Sequence, residues 1–171
     1  TCYTSVVSAQ SPQCSVSSGV FSYAFTGLTN GTTYYYRVSA SNYLSGASSA
    51  LVSATTFPGA PTVGTAVFDY ASVTGNGQAT VTWSQPSGGA DSYTVTAYTD
   101  SAGLIAASAA NGTLAVGTSN PQSFGSGATS GTFTGLMNTG NYYFKVTATN
   151  ASGSATSGLS SQSLQFKLAL P

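Results

Sequence analysis

Residues 136–150 read L-M-N-T-G-N-Y-Y-F-K-V-T-A-T-N, and this stretch decides how the rest of the chain is interpreted. Every second position of its later part is apolar, at Tyr142, Phe144, Val146 and Ala148. Successive side chains of a strand point to opposite faces, so this alternation is typical of a strand with one buried face. The stretch therefore predicts a half-buried β-strand that follows a short polar turn.

The same pattern occurs a second time, nearer the N-terminus. Residues 28–42 read L-T-N-G-T-T-Y-Y-Y-R-V-S-A-S-N, with Tyr34, Tyr36, Val38 and Ala40 at the matching positions. A recurrence of this length, with the same order of leucine, turn and strand, predicts that the chain contains one structural module twice.

The composition is unusual in its charge. Of the 171 residues 41% are hydrophobic and only 4% are charged, with three basic and three acidic side chains, whereas a typical soluble domain is about one quarter charged. The chain therefore lacks the basic patch that nucleic acid or an anionic membrane surface requires, and no apolar run reaches the roughly 18 residues of a membrane span. A net charge near zero favours association with copies of the same chain, although a heavily glycosylated surface fits equally well.

Short alternating segments with Gly, Pro and Asn turns between them occupy the remaining sequence. Strands are predicted over residues 19–28, 63–70, 78–84, 92–99 and 129–136, weaker strands over 104–110 and 113–117, and a loop over 119–127. Many short strands at regular spacing predict an all-β sandwich.

Three segments of the second half resemble a fibronectin type III domain. They are G-Q-A-T-V-T-W-S-Q-P at 77–86, D-S-Y-T-V-T-A-Y at 91–98, and the opening stretch extended to Gly153. The likeness is greatest to the Gly/Ser/Thr-rich kind found in tandem on secreted bacterial proteins. The resemblance implies a set of core signature residues, namely Trp83, Tyr93, Leu136 and Tyr142, with Leu28 and Tyr34 in the first copy.

The resemblance also predicts the domain organisation. It implies two tandem immunoglobulin-like sandwiches, with a C-terminal half-domain over residues 1–57, a Pro/Gly linker over 58–61 and a complete domain over 62–171. The first sandwich would lack its N-terminal strands, because T-C-Y-T-S at 1–5 aligns with T-A-Y-T-D at 96–100. Half a sandwich leaves a core face uncovered, so the missing strands either precede Thr1 in a longer chain or come from a neighbouring molecule.

Cys2 and Cys14 are the two cysteines of the chain. A disulfide between them would close a loop of about a dozen residues and stabilise the fold by about 3 kcal/mol, and it would indicate an oxidising, extracytoplasmic location. The alternative is a pair of free thiols. Without histidine or further cysteines, no metal site is expected.

Three asparagines begin an N-x-[ST] sequence, at Asn30, Asn111 and Asn150. They are candidate glycosylation sites in a secreted protein. The alternative is chance, because Asn, Gly, Ser and Thr are abundant and Asn-Gly is a favourable turn sequence on its own.

Alternation places Tyr35 and Tyr143 on an outer sheet face, together with Arg37 and Lys145. These four residues are a candidate contact face for a neighbouring subunit or a glycan. The alternative is that the tyrosines serve only strand propensity and cross-strand packing.

The residues needed for catalysis are scarce. Histidine and glutamate are absent, and the acidic residues Asp69, Asp91 and Asp100 are far apart in sequence. Catalysis requires a positioned acid or base, an activated nucleophile or a metal, and no phosphate-binding loop is present. The sequence predicts a protein that is not an enzyme and has no cofactor.

The leading hypothesis is a non-catalytic structural module of an extracellular filament, sheath or surface array. It would associate through neutral polar and tyrosine-bearing faces with copies of itself or adjoining repeats, and glycans are a further candidate partner. The alternative is a spacer or carbohydrate- or ligand-binding region of a larger secreted enzyme or adhesin. Neither hypothesis includes nucleic acid or membrane insertion, and both place the chain at the cell surface or outside the cell.

Overall fold

The computed structural model describes residues 2–5, 8–10, 19, 22–41, 43–69, 77–137, 141–160 and 164–165. Every regular element within these ranges is a β-strand, and all the strand pairs are antiparallel. The prediction of an all-β fold is thereby confirmed.

The N-terminal unit, meaning the described residues up to Phe57, consists of one sheet and one hairpin. Its strands are β1 (Cys2–Ser5), β2 (Ser8–Gln10), β3 (Thr33–Tyr36), β4 (Ser39–Ser41), β5 (Gly46–Ser48) and β6 (Val52–Thr55). The sheet has the order β2-β1-β3-β6, and β4 and β5 form the hairpin. The strand predicted after the turn of the 28–42 pattern is therefore divided into β3 and β4.

One face of this sheet is only partly covered. Tyr34 is buried, whereas Val52, which shares its face, exposes 63% of its surface, and Val38, just beyond β3, exposes 73%. The prediction of a strand over residues 19–28 was wrong, because the described residues of this range pair with no other strand. Its Phe25 ring instead packs on Tyr36, with 5.1 Å between the ring centroids.

The C-terminal unit, residues 62–165 as far as they are described, is built from two sheets. Its strands are β7 (Val63–Asp69), β8 (Gly77–Trp83), β9 (Ser92–Tyr98), β10 (Gln122–Gly125), β11 (Ser130–Leu136), β12 (Asn141–Asn150), β13 (Gly153–Thr156) and β14 (Leu164–Gln165). One sheet has the order β11-β8-β7 and the other β10-β9-β12-β13, with β14 also paired to β12.

The core lies between these two sheets. The inward positions of β8 and β12 are buried and alternate with more exposed ones. Aromatic rings from opposite sheets pack against each other there. The ring centroids of Trp83 and Tyr93 are 5.5 Å apart, and those of Phe133 and Phe144 are 5.7 Å apart. Each buried side chain of this size contributes roughly 1.5–3 kcal/mol, so the aromatic residues dominate the packing that holds the sheets together.

The segment between β9 and β11 differs from its prediction. The weaker strands expected over 104–110 and 113–117 are turns with two single bridges, from Ala106 to Tyr98 and from Leu114 to Leu136. Strand β10 lies in the range predicted as a loop. It pairs with β9, so a short segment without clear alternation is drawn into the sheet by its neighbour.

Candidate functional surfaces

The outer face of β9 and β12 carries Tyr143, one of the two tyrosines that the sequence placed outside. In the antiparallel register Tyr143 lies opposite Tyr98, and Lys145 lies opposite Thr96. Directly opposed residues share a face of the sheet, so Tyr98 joins Tyr143 and Lys145 there. Tyr98 was not singled out from the sequence, although its alternation with Ala97 would have placed it outside.

Lys145 is held against this face rather than extended into solvent. Its Nζ lies 4.9 Å from the centroid of the Tyr98 ring, and it donates a hydrogen bond of 3.2 Å to the carbonyl of Gly103. A lysine over an aromatic ring is attracted by the ring's quadrupole. The ammonium therefore covers part of Tyr98, while Tyr143 remains half-buried beside it.

Tyr35 and Arg37 lie in the N-terminal unit, away from Tyr143 and Lys145. Tyr35 is a half-buried residue of β3, opposite Ser53 of β6, and Arg37 is exposed just after β3 ends. The structure therefore brings Tyr143 and Lys145 together on β12 and leaves Tyr35 and Arg37 as a separate pair in the N-terminal unit.

The core signature residues lie where their side chains are removed from solvent. Trp83 is 4% exposed, and Tyr34 is buried while Leu28 is half-buried. The remaining three, Tyr93, Leu136 and Tyr142, are fully buried.

The two matching tyrosines, Tyr142 and Tyr34, use their hydroxyl groups in the same way. The hydroxyl of Tyr142 accepts a hydrogen bond from the amide of Met137 at 3.2 Å, and that of Tyr34 accepts one from the amide of Thr29 at 2.8 Å. Each tyrosine thus fixes the turn five residues before it, which explains why both copies share the leucine, turn and tyrosine order.

The three asparagines of the sequons all use their side-chain amide nitrogens. Asn111 donates to the carbonyl of Ala106 at 3.1 Å within its own loop. Asn150 donates to the carbonyl of Thr56 at 3.1 Å, and Asn30 to the Oγ of Ser87 at 3.3 Å. An N-linked glycan takes the place of one of the two hydrogens on this same nitrogen, so modification would add a bulky sugar beside each of these contacts.

The predicted disulfide lies partly outside the described residues. Cys2 is in β1, opposite Gln10 and Tyr36 in the two neighbouring strands, whereas Cys14 lies outside the described residues. The pairing of the two cysteines stays a prediction.

Asp100 organises the turn after β9. Its carboxylate accepts hydrogen bonds from the backbone amides of Ile105 at 2.7 Å, Leu104 at 3.0 Å and Ala102 at 3.2 Å. These bonds, above all the one from Ile105, favour the charged form and lower the pKa of the carboxyl group. The carboxylate therefore stabilises the turn over residues 100–105.

Tyr93 also has a shifted pKa. Burial disfavours the phenolate and raises the pKa of its hydroxyl. The hydroxyl has no hydrogen-bond partner among the described residues. It lies in the packed core beside Trp83, where no reactant could reach it.

An open cleft of about 700 Å³ lies beside the β10 edge of the C-terminal unit. It is lined by Ala115, Val116, Gly117, Thr118, Ser119, Pro121, Gln122, Ser123, Thr134 and Gly135. Hydroxyl and amide groups therefore predominate on its wall, with the 96% exposed side chain of Val116 as an apolar component. Sequence reasoning missed the cleft, because β10 and its approach were interpreted as a single loop.

Within the described ranges, no three His, Cys, Asp or Glu side chains are grouped as metal ligands would be. The same ranges contain no helix with the length and apolar character of a membrane span.

Two antiparallel sheets that enclose an aromatic core, in the strand orders given above, define an immunoglobulin-like β-sandwich. The family model of the fibronectin type III domain matches residues 64–164. The chain therefore belongs to the fibronectin type III family. Domains of this family are commonly structural or spacer modules, are typically non-catalytic and often occur in extracellular proteins.

Among solved structures, the chain is similar to a crystal structure of a domain segment of titin, with 18% sequence identity and a TM-score of 0.39. The match covers 80% of this chain and 41% of the titin chain. No curated protein matches the chain.

Proposed function

We propose that the chain is a non-catalytic structural module of an extracellular filament, sheath or surface array, and that it associates with copies of itself or adjoining repeats. The observation that carries the proposal is the nearly uncharged chain, with three basic and three acidic residues in 171. Such a surface offers little electrostatic repulsion between neighbours. Apolar side chains add to it, since Leu104 and Val116 expose 82% and 96% of their surfaces.

The tyrosine-bearing sheet faces are the proposed contacts. Tyr143 lies beside Tyr98 and Lys145 on the outer face of β12 and β9, and Tyr35 lies on β3 of the N-terminal unit. Tyrosine supplies a large contact area at low entropic cost and is enriched at protein interfaces. We therefore place self-association on these faces, with Arg37 at the margin of the second.

Sedimentation velocity over a range of concentrations tests this proposal. We expect the wild-type chain to associate as its concentration rises, and the double variant Tyr35→Thr/Tyr143→Thr to weaken association by roughly tenfold or more, as for interface residues worth over about 1.4 kcal/mol. The control is Tyr43→Thr, because Tyr43 is 99% exposed and lies outside the strands. A wild-type chain that stays monomeric at every concentration would refute the proposal.

The extracellular location rests on the family and on the predicted Cys2–Cys14 disulfide. Intact mass measurement of the native protein, with and without reduction before alkylation, tests the pairing. We expect alkylation only after reduction, and alkylation of the unreduced protein would show two free thiols.

The second candidate function is a spacer or carbohydrate-binding region of a larger secreted enzyme or adhesin. The cleft favours it, because the hydroxyls of Thr118, Ser119 and Ser123 on its wall are groups that bind sugar hydroxyls. Amide chemical shifts measured during titration with oligosaccharides test this function. Saturable shifts confined to residues 115–123 and 134–135 would support it, and their absence would count against it.

A further inference from the structure

The segment that joins the two units is packed rather than extended through solvent. Pro58, Gly59 and Pro61 are buried, although segments between domains are usually exposed and permit relative motion. The turn at Asn30–Gly31 contacts this segment from the N-terminal unit, and the loop at residues 87–89 contacts it from the C-terminal unit.

Two hydrogen bonds connect the units directly, and a third holds the joining segment against the C-terminal unit. The side-chain amide of Asn150, at the end of β12, donates to the carbonyl of Thr56 at 3.1 Å. The backbone amide of Gly59 donates to the carbonyl of Ser87 at 3.0 Å, and the side chain of Asn30 donates to the Oγ of Ser87 at 3.3 Å. The bonds arise from different loops, so together they restrain rotation as well as separation.

Two glycines bring the backbones of the units into direct contact. A Cβ added to Gly31 would lie 2.5 Å from the Cα of Gly88, and one added to Gly88 would lie 2.5 Å from the Cα of Gly31. Cβ atoms essentially never approach another heavy atom below 3.0 Å. A second close contact is made by the Phe57 ring, which would lie 2.7 Å from a Cβ on Gly153. Neither contact leaves room for a side chain.

We infer that this joint holds the two units as one rigid body, and that the Gly31–Gly88 contact and the Asn150–Thr56 hydrogen bond are its main determinants. The inference goes beyond the proposed function, because a fixed angle between the units does not depend on self-association. It also concerns the sequons, since the amide nitrogens of Asn30 and Asn150 take part in the joint. A glycan at Asn150 would place a bulky sugar on the nitrogen that bonds to Thr56, and we expect it to open the joint.

Residual dipolar couplings of the full 171-residue chain test the inference. We expect the wild-type amides of β3, β6, β8, β9 and β12 to fit one common alignment tensor. In Gly88→Ala the added methyl group cannot be accommodated against Gly31, so the units should separate and require two tensors of unequal magnitude.

The matched control is Gly89→Ala. Gly88 and Gly89 both have a positive φ, of 81° and 67°, so alanine strains the backbone at either position. A Cβ on Gly89 meets nothing within 4 Å. We therefore expect Gly89→Ala to keep the common tensor, and the difference between the two variants isolates the contact with Gly31.

A second pair of variants tests the hydrogen bond. Asn150→Asp keeps the Oδ1 that accepts bonds from Ser152 and Gly153, but it places an oxygen against the carbonyl of Thr56. Asn111→Asp makes the same change within a loop of the C-terminal unit. We expect the common tensor to be lost in Asn150→Asp and kept in Asn111→Asp.

Well-dispersed amide resonances from β8 and β12 show that a variant is folded, so that a loss of the common tensor reports on the joint. Two outcomes would overturn the inference. One is a wild-type chain that already requires two tensors. The other is a common tensor kept by both Gly88→Ala and Asn150→Asp.

Discussion

Two buried tyrosines of the C-terminal unit, Tyr142 and Tyr93, differ in whether their hydroxyl groups have hydrogen-bond partners. The hydroxyl of Tyr142 bonds to the amide of Met137 and lies within hydrogen-bond distance of the carbonyls of Met137 and Thr113. The hydroxyl of Tyr93 has no partner among the described residues. Tyr142 thus fixes the approach to β12, whereas Tyr93 contributes through its ring alone.

The same substitution at the two positions should therefore have different effects. We expect Tyr142→Phe to lower the free energy of unfolding by about 0.5–1.5 kcal/mol, because it removes the hydroxyl's hydrogen bonds to half-buried backbone groups of Met137 and Thr113. Tyr93→Phe should change it by less than about 0.5 kcal/mol or stabilise the protein. Urea unfolding followed by the fluorescence of Trp83, the one tryptophan of the chain, measures both. Equal losses in the two variants would contradict this assignment.

Asp100 gives the chain a defined acid sensitivity. Its backbone hydrogen bonds lower the pKa of the folded-state carboxyl group below the ordinary value, which is about 3.9. A group with a lowered folded-state pKa contributes stability above its unfolded-state pKa, and that stability is lost as the pH falls through the folded-state pKa. We expect stability to decline below about pH 4, and the decline to be smaller in Asp100→Asn. Thermal unfolding of both proteins across this range provides the measurement, and superimposable pH profiles would contradict the role of Asp100.

At the scale of elements, the side chain of Asn120 forms hydrogen bonds with the backbone of β9 that a neighbouring strand would otherwise provide. The Asn120 Oδ1 accepts a bond from the amide of Ala97 at 3.0 Å, and its Nδ2 donates to the carbonyls of Ala97 at 2.9 Å and Ala107 at 2.8 Å. Asn120 comes just before β10, so it connects that strand, β9 and the preceding loop.

Removal of this amide should loosen one end of the sheet. We expect Asn120→Ala to accelerate hydrogen exchange at the Ala97 amide by roughly tenfold or more, because that amide loses its acceptor and opens locally. The amide of Val81, on β8 of the other sheet, serves as the internal reference. An unchanged exchange rate at Ala97 would show that other contacts hold β9 at this point.

The elements that could be predicted from the sequence are those with sustained alternation. The run around Trp83 predicted a strand over 78–84, and the structure has β8 at Gly77–Trp83. Strand β10 was missed because its four residues show little alternation, and Asn120 bonds to a residue 23 positions away. The described residues of the range 19–28 form no strand, because they have no neighbouring strand to pair with.

The sequence predicted which residues of β12 lie on the candidate contact face, but not their neighbours on β9. Alternation along β12 separates Tyr143 and Lys145 from the buried positions of the same strand. The position of Lys145 over the Tyr98 ring depends on the register between β12 and β9. Register is set by the whole sheet and cannot be read from one segment.

At the scale of the molecule, the two units are packed to different degrees. The C-terminal unit encloses a core of aromatic and aliphatic residues between two sheets. In the N-terminal unit Val38 and Val52 remain largely exposed, and Tyr34 is the large hydrophobic residue described as buried. Local stability follows the density of buried apolar contacts.

Hydrogen exchange should reveal this difference directly. We expect the amides of β3 and β6 to exchange at least about tenfold faster than those of β8 and β12, because fewer buried contacts oppose their opening. Exchange followed by two-dimensional NMR on the same sample measures both units under identical conditions. Equal protection of the two units would mean that the exposed face of the N-terminal sheet is covered in solution.

Electron microscopy of the native material in negative stain tests the proposed structural role most directly. If the chain is a module of a filament, sheath or surface array, the images should show regular assemblies in which similar modules repeat at a constant spacing. Isolated, flexible monomers would contradict that role.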